Sequence, residues 1–583
     1  MRKFSAVFLA TSLSFIYLWA QPEPGRAERH QPSYAPGEII ICFQPNVSLP
    51  PEGLFKAAGA RLTNEVLVAL DRVANVVQIE HLAPALPLPA DRAGALRQLK
   101  RSGRPTTLEE IAAIFSEYGQ DRIVTVRLAK DVDIPALTAD LMRRYPHLIE
   151  FAEPNYLRTV DLRPNDQYFS SQWYMVNVKA QEAWDVTTGS SDVVVAVIDT
   201  GISPHPDLDE KRFVNPGEIP GNGIDDDSDK YIDDVSGWDF INDDNDPNDD
   251  FGHGTWVSGV AAAATNNRRD IAGVSWGSPV LMLKAGGSDG TLPSSAITRA
   301  INYAVMMSIH GVRVINMSFG GEGRSGGEWS AIRAANAAGI VCVAAAGNEG
   351  KNNDQQQHYP SGFEIQTDNV ISVAATTSSD RLAGFSNFGL SVGVAAPGDN
   401  ILTTSGGRNS TARLSGTSFS APLIAGVAAL IYSRFPDSTP VQVRGRIEGN
   451  VDVLSTLRGK VLSDGRVNVS RVFDEDEIPP APITDLQVVA GPQGPVLTWT
   501  APGDDGMEGR ASFYDIRYLS QQITPNNFRY TKRLLVGLKP GVAGTTETLT
   551  LPDNFPTGRS FVLIRVLDNV GNLVESSQLE VNK

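Results

Sequence analysis

Five short apolar runs, Val193 to Ile198, Val280 to Lys284, Val312 to Met317, Ile340 to Ala345 and Val370 to Ala375, alternate with longer stretches of helical periodicity between Pro164 and Phe473. Such runs have no polar face, so the strands they form must be covered on both sides, and the intervening helices supply the cover. The fold class this dictates is α/β: a parallel sheet with helices on both faces. A site is implied as well, because open sheets of this kind collect ligands at the carboxyl ends of their strands. Asp199 follows directly on the run that ends at Ile198.

A chain of 583 residues is too long for one core. Residues 28–160 are expected to form a separate α+β unit. Its strands are placed at Ile39 to Phe43, Val124 to Leu128 and Leu148 to Ala152, and its helices at Thr107 to Tyr118 and Ile134 to Arg144. The stretch Pro84 to Arg104 has no assigned role. Residues 161–475 hold the parallel sheet. Past the acidic, Pro-rich linker Asp474 to Pro482, residues 476–583 change character. Short strands at Val496 to Trp499, Tyr514 to Tyr518 and Phe561 to Leu567 alternate with turn clusters such as Pro502-Gly-Asp-Asp-Gly506, which predicts a small β-sandwich.

Met1-Arg-Lys3 followed by the apolar run Phe4 to Ala20 reads as a signal segment, set at residues 1–27, with an uncleaved membrane anchor as the competing reading. The run is shorter than the ~20 residues a span prefers. Export is therefore expected, to the outside or to a periplasm, with no membrane association after signal removal. A net charge of -17 lacks the basic face a nucleic-acid binder needs. The two cysteines, Cys42 and Cys342, fall in different units and define no disulfide framework.

Chemistry concentrates in four segments: Val-Ile-Asp-Thr-Gly (197–201), Gly-His-Gly-Thr (252–255), Ala-Ala-Ala-Gly-Asn-Glu-Gly (344–350) and Ser-Gly-Thr-Ser-Phe-Ser-Ala-Pro (415–422). A serine hydroxyl attacks only when a neighbouring base takes its proton. Ser418 supplies the hydroxyl, His253 the base, and Asp199 the group that holds the imidazole tautomer. Ser418 should open a helix running to Ile431, and Asn348 with the Ser418 N–H would bind an oxyanion. The order Asp, His, Ser is that of subtilisin rather than of chymotrypsin or the α/β-hydrolases. Together the segments resemble the subtilisin-like serine proteases over residues 164–435.

That resemblance implies an endopeptidase working through an acyl-enzyme, with protein or peptide substrates and a monomeric chain. Asn316 to Gly320 resembles the segment that pairs with an extended substrate, so Ser318, Phe319 and Gly320 with Ala345, Ala346 and Gly347 would wall the pocket for the residue before the scissile bond (P1). His358 would lie near its base. The string Glu150 to Tyr156 resembles the end of subtilase propeptides, making residues 28–160 a removable inhibitor of the chain's own cleft. The Leu-Thr-Trp-Thr-Ala-Pro and Tyr-Asp-Ile-Arg-Tyr strings resemble fibronectin type III modules. Two positions depart from the family pattern: Trp256 and Leu423 stand where histidines are usual.

Twelve aspartates and one lysine between Asn222 and Asp250 repel one another unless cations intervene, and oxygen ligands at alternate positions suit Ca²⁺. Asp239, Asn242, Asp244, Asp246 and Asn248 match a calcium loop of thermitase-like subtilases. A second match joins Asp166, Asp207 and Asn267 with the carbonyls of Ala264, Arg269 and Ile271. Asp225, Asp227 and Asp229 resemble the start of an EF-hand loop, without its glycine or closing glutamate. Two rival readings compete with the peptidase: a catalytically silent scaffold presenting the sandwich to a partner, and an esterase, which would want an apolar acyl groove in place of the strand-pairing segment.

Overall fold

The computed structural model describes residues 34–156, with interruptions, and 163–583 apart from 408 and 409. The signal segment, nearly all of 84–104 and residues 157–162 lie outside the described residues. By its contacts the chain divides into Met1–Val160 and Asp161–Lys583.

In the first unit an antiparallel sheet runs in the order β2-β3-β4-β1-β5, with β1 Tyr34–Phe43, β2 Leu54–Phe55, β3 Val76–His81, β4 Ile123–Leu128 and β5 Ile149–Tyr156. Helix Leu108–Glu117 starts at a reciprocal Thr107/Glu110 capping box, and helix Ile134–Arg144 at Asp133, whose carboxylate accepts the Ala136 N–H. A third helix, Glu65–Ala74, packs Val66, Leu67 and Leu70 with Ile39, Ile41, Val124 and Val126 in one core.

The second unit is built on nine strands in the order β15-β16-β12-β11-β10-β9-β6-β8-β7. Their ranges are β6 Val194–Asp199, β7 Gly237–Asp239, β8 Val280–Lys284, β9 Val312–Met317, β10 Val341–Ala345, β11 Val370–Thr376, β12 Val394–Pro397, β15 Val451–Val453 and β16 Gly465–Val467. All neighbours run parallel except β15 and β16. A separate hairpin pairs β13 Ile401–Thr404 with β14 Thr411–Leu414. One face packs against helices His253–Ala262 and Thr417–Arg434, the other against Ser294–Met306 and Gly326–Ala337. Every residue of β6, β8, β10 and β11 is buried, as strands covered on both faces must be. Strand β6 sits between β9 and β8, so chain order reverses there and the crevice beyond its carboxyl end opens at Asp199.

Residues 487–582 form two antiparallel sheets, β17 Gln487–Gly491, β18 Gly494–Thr500 and β21 Thr546–Thr550 in one, β19 Phe513–Leu519, β20 Lys532–Arg533, β22 Arg559–Leu567, β23 Leu573–Glu575 and β24 Leu579–Asn582 in the other. Leu497 and Trp499 meet Tyr514, Ile516, Val562 and Ile564 between them. Among the described residues no helix is long and apolar enough to cross a membrane.

Candidate active site

Asp199 ends β6, and His253 opens the helix that follows the acidic stretch. The His253 Nδ1 stands 2.8 Å from Asp199 Oδ1 and 3.0 Å from Oδ2. Against a carboxylate Nδ1 must carry the proton, which leaves Nε2 as the basic nitrogen. Asp199 is buried, and its Oδ1 also accepts the Thr200 N–H at 2.8 Å. Burial alone would lower the imidazole pKa, but Asp199 in contact and Asp249 beyond it raise the net value above the ordinary one.

The start of the histidine helix is held by Asp249. Its Oδ1 accepts the Gly252 N–H and the Thr200 hydroxyl at 2.6 and 2.9 Å, and its Oδ2 the Thr255 N–H and hydroxyl at 2.9 and 2.6 Å. A first turn otherwise short of acceptors is thereby satisfied. Gly254 allows the approach: a Cβ there would stand 2.1 Å from the Gly201 carbonyl oxygen.

Ser418 lies in the first turn of helix Thr417–Arg434, which is apolar on every side and buried through the middle of the sheet face. Pro422 has no N–H to give the Ser418 carbonyl four residues back, so that oxygen is free to accept the Ser318 hydroxyl at 2.9 Å. In return the Ser418 hydroxyl donates to the Ser318 carbonyl at 3.0 Å, and Asn316 Nδ2 donates to Ser318 Oγ at 3.0 Å. The nucleophile and the wall segment are thus stitched together, and the serine hydroxyl points at Ser318 rather than at His253. The imidazole lies 6.3 Å, centroid to centroid, from the ring of Phe419, next to the serine in sequence.

Asn348 is exposed, and its Oδ1 accepts both the N–H and the hydroxyl of Thr417, at 2.8 and 3.0 Å. Those two donors dictate which way the amide turns: the oxygen faces Thr417, and Nδ2 is left to donate. Gly347, at φ 108°, gives its N–H to Thr417 Oγ1 at 3.2 Å. The Ala346 carbonyl is held by Asn353 and Asn387 at 2.9 and 3.1 Å. Ser318, Ala345 and Ala346 are buried, Phe319 half-buried and Gly320 exposed. His358 is buried against both walls: a Cβ on Gly320 or Gly347 would come within 2.1 or 2.9 Å of its ring. Trp256 meets the His253 ring edge-on at 5.9 Å, and Leu423 is fully buried in the core.

The three calcium sets fare differently. Among the described residues, carboxylate or imidazole atoms converge within 4.8 Å at Asp225/Asp227/Asp229, at Glu218/Asp227/Asp234 and at His205/Asp207/Asp270. The acidic groups of the loop of Asp239, Asn242, Asp244, Asp246 and Asn248 are not among these clusters. Asp239 is buried, with Oδ1 accepting from the Ile241 and Asn242 N–H groups at 2.7 and 3.0 Å and Oδ2 from Asn242 Nδ2 at 2.9 Å. The ammonium of Lys284 approaches Asp239 at 3.6 Å, Asp250 at 3.0 Å and the Asn248 carbonyl at 2.9 Å. Asn267 links Asp166 and Asp207: its N–H donates to Asp166 Oδ1 at 3.4 Å, and its Nδ2 sits 2.9 Å from Asp207 Oδ1 and 3.2 Å from the Ala264 carbonyl. The loop of Asp225, Asp227 and Asp229 draws its carboxylates together, and Asp229 Oδ2 is buried with no partner. These residues fit a hard cation better than an empty loop.

Three residues have roles that the motifs do not reveal: Asp249, and Thr417 and Pro422 within the 415–422 string. Asp249 carried a signal, an aspartate in the turn before a helix, but stood among twelve of its kind. The other two act through contacts 69 or more residues away in sequence.

Residues 190–470 match the model described as the subtilase family. The chain is 39% identical over 323 residues to the "Thermophilic serine proteinase" of Bacillus sp. (strain AK1), covering 55% of this chain and 72% of that protein. It is 36% identical over 307 residues to "Thermitase" of Thermoactinomyces vulgaris, covering 52% and 97%. It is 34% identical over 345 residues to an "Extracellular protease" of Xanthomonas campestris pv. campestris, covering 52% and 56%.

Proposed function

Because the chain belongs to the subtilase family of serine proteases, we propose that it is a secreted, calcium-stabilised serine endopeptidase made as a self-processed zymogen. The observation that carries the reading is the Asp199–His253 pair at 2.8 Å, with the imidazole 6.3 Å from the ring of Phe419, the residue after Ser418, and an Asn348 whose amide is turned to donate.

In the proposed mechanism a substrate carbonyl enters between Ser418 and Asn348. Rotation about the serine Cα–Cβ bond turns the hydroxyl from Ser318 toward His253 Nε2, which takes its proton as the oxygen attacks. Asp199 steadies the imidazolium, and the oxygen of the tetrahedral intermediate takes hydrogen bonds from Asn348 Nδ2 and the Ser418 N–H. The imidazolium then protonates the leaving amine, and water hydrolyses the acyl-enzyme by the same steps in reverse order. The segments 318–320 and 345–347 would take the P1 side chain, and main-chain pairing would align the rest.

Calcium would serve structure alone. The groups to hold it are Asp239, Asn242, Asp244, Asp246 and Asn248 in one loop, Asp166, Asp207 and Asn267 in another, and Asp225, Asp227 and Asp229 in a third, the last being the loop whose carboxylates crowd together. Residues 28–160, whose described part is α+β, would be the propeptide and inhibitor, and residues 476–583 a fibronectin type III-like module. Export rests on the sequence of residues 1–27 and on relatives named as extracellular proteases.

A phosphonofluoridate probe tests the reading directly. The chain should gain one adduct, mapped to Ser418, and lose peptidase activity in step with it, and Ser418→Ala should take up none. A folded wild-type chain that neither labels nor cleaves casein would leave the silent scaffold standing instead.

A further inference from the structure

Where helix Pro440–Gly449 meets the second of the C-terminal sheets, a cluster of opposite charges is shut away from water. Arg444 bonds Glu448 at 2.8 Å and Glu364 at 3.1 Å. From the C-terminal sheet, Arg517, Arg533 and Arg565 surround Asp515 at 2.8, 3.1 and 3.0 Å. Two of these reach across to the residues after Tyr359: Arg565 grips both oxygens of Asp368 at 2.8 and 3.1 Å, and Arg517 Nη1 donates to the Ile365 carbonyl at 2.9 Å. Arg533 comes within 4.0 Å of Glu364. Four guanidinium groups thus face four carboxylates, and all but Asp368 are nearly inaccessible.

Burial alone would raise the Asp515 carboxyl, yet the three arginines around it hold it well below the usual carboxylate range. The cluster is still an expensive way to join two modules, since Arg533 Nη1 and Nη2 have no hydrogen-bond partner. What planar forks on carboxylates provide is a fixed arrangement. The backbone agrees, for a Cβ on Gly445 would lie 2.4 Å from the Gly571 Cα.

The cluster grips one turn, Ser361–Ile365, with the residues up to Asp368. Arg444 Nη1 donates to the Glu364 and Thr367 carbonyls at 3.3 and 3.2 Å, and Glu364 Oε2 accepts the Ser372 and Gly393 N–H groups at 2.7 and 3.0 Å. At the start of the turn the Ser361 hydroxyl and the Gly362 N–H both hold the His358 carbonyl at 2.7 Å. Tyr359 and Gly321 then exchange backbone bonds at 2.9 and 2.7 Å, and His358 packs on Gly320 and Gly347. A continuous path therefore leads from the C-terminal sheet to the two wall segments beside Ser418 and Asn348.

We infer that the C-terminal sandwich braces the substrate cleft: Arg517, Arg533 and Arg565 are positioning residues that, through the turn at 361–368, set where His358 stands against Gly320 and Gly347. The shape of the P1 pocket, and with it the choice of P1 side chain, depends on a module that never touches substrate. This rests on the peptidase reading above. A module hung from residues 474–482 only to bind elsewhere has no use for such a joint.

The test uses the full chain with Arg565→Lys, which keeps the charge but breaks the two-bond grip on Asp368, and with Asp368→Asn on the other side of the pair. Values of kcat and KM are measured on peptide p-nitroanilides that differ only at P1 (Ala, Leu, Phe, Lys), alongside the rate of phosphonofluoridate labelling. The kcat/KM ratio between the best and worst P1 should shift by about fivefold or more, the lower end of ordinary site-to-site coupling. Labelling should stay within about twofold, and the double variant should do no more than either single one. Folded variants with a lower melting temperature and a P1 ratio shifted by less than about fivefold would overturn the inference, leaving a merely structural joint.

Hydrogen exchange on the same variants answers without catalysis. Faster exchange at both 358–368 and 318–321 supports the brace, and faster exchange confined to 361–368 overturns it. If Arg565→Lys does not fold, Asp368→Asn carries both measurements. A wild-type chain that fails to label at Ser418 would sink the peptidase reading and leave the exchange result to decide the brace.

Discussion

Replacing Thr417 with Val isolates what turns the Asn348 amide. Thr417 is fully buried and its hydroxyl does two things: it donates to Asn348 Oδ1 at 3.0 Å and accepts the Gly347 N–H at 3.2 Å. Valine keeps the shape and removes both. The Thr417 N–H still holds Asn348 Oδ1 at 2.8 Å, so one of two bonds is lost and the amide should be loosened, not released. A neutral hydrogen bond is worth about 0.5–1.5 kcal/mol net, and if that strain falls on the oxyanion donor, kcat should drop about 2- to 12-fold. Asn348→Ala, which removes the donor itself, should cost about 10²–10³. Stability should fall as well, by about 1–3 kcal/mol, because the Gly347 N–H is left buried and unpaired. Steady-state kinetics on a peptide p-nitroanilide separate the terms: the loss belongs in kcat, with KM little changed, since the donor acts on charge that develops only in the transition state. In the double variant Thr417→Val should add almost nothing to Asn348→Ala. If the two losses multiply, or if the effect of Thr417→Val lies in KM, the hydroxyl does not act through Asn348.

Since His253 must be neutral to accept the serine proton and its pKa in the free chain is raised, kcat/KM should climb with pH through a midpoint above the ordinary 6.5. Asp199→Asn removes the larger of the raising charges, so the midpoint should move down along with the plateau, and a midpoint that stays put would refute the pairing. Ser418→Ala should leave the precursor whole, whereas the active chain should be cut between Asn155 and Asn165, as read by N-terminal sequencing; normal processing of the mutant would exclude self-maturation. Chelation should lower the melting temperature and hasten self-digestion, because calcium at a hundredfold above Kd contributes about 2.7 kcal/mol per site. Asp227→Ala should blunt that response more than Asp244→Ala, and the reverse order would show that calcium is held nearer the histidine.

How far the fold was legible depended on where each strand lies in the sheet. Strands β8 and β9 fall at the residues their apolar runs mark, Val280–Lys284 and Val312–Met317, because a strand covered on both faces is apolar along most of its length. The outer strands β7, β15 and β16 have three residues each, and nothing in Gly-Trp-Asp or Gly-Arg-Val sets a period. They exist because a neighbour offers an edge. The same divide runs through the site. Asp199, His253, Ser418 and Asn348 announce themselves in local strings, since each needs small neighbours. The Thr417 hydroxyl and the Ser318–Ser418 exchange become visible only when distant segments are side by side.

The acidic stretch shows what sequence spacing leaves out, which is the competition for each oxygen. Counted as ligands, Asp239 and Asp244 look as available as Asp225 and Asp227. In the fold, Asp239 already receives two backbone N–H groups, an amide and the edge of an ammonium. An entering cation would have to displace Lys284 or share the carboxylate with it, and both cost Coulomb energy in a buried setting. Lys284 ends β8, and nothing in its own neighbourhood of sequence points to acids 34 or more residues earlier. Asp227 is in the opposite position: it belongs to two groups of converging carboxylates, one of which includes Asp229 with an unpartnered buried oxygen. Like charges held that close repel until something positive intervenes, and the lysine in that loop, Lys230, is exposed. The loop that fits an EF-hand poorly by spacing is therefore the one whose folded geometry most needs a cation, which is why Asp227, rather than Asp244, is where the calcium response should be lost.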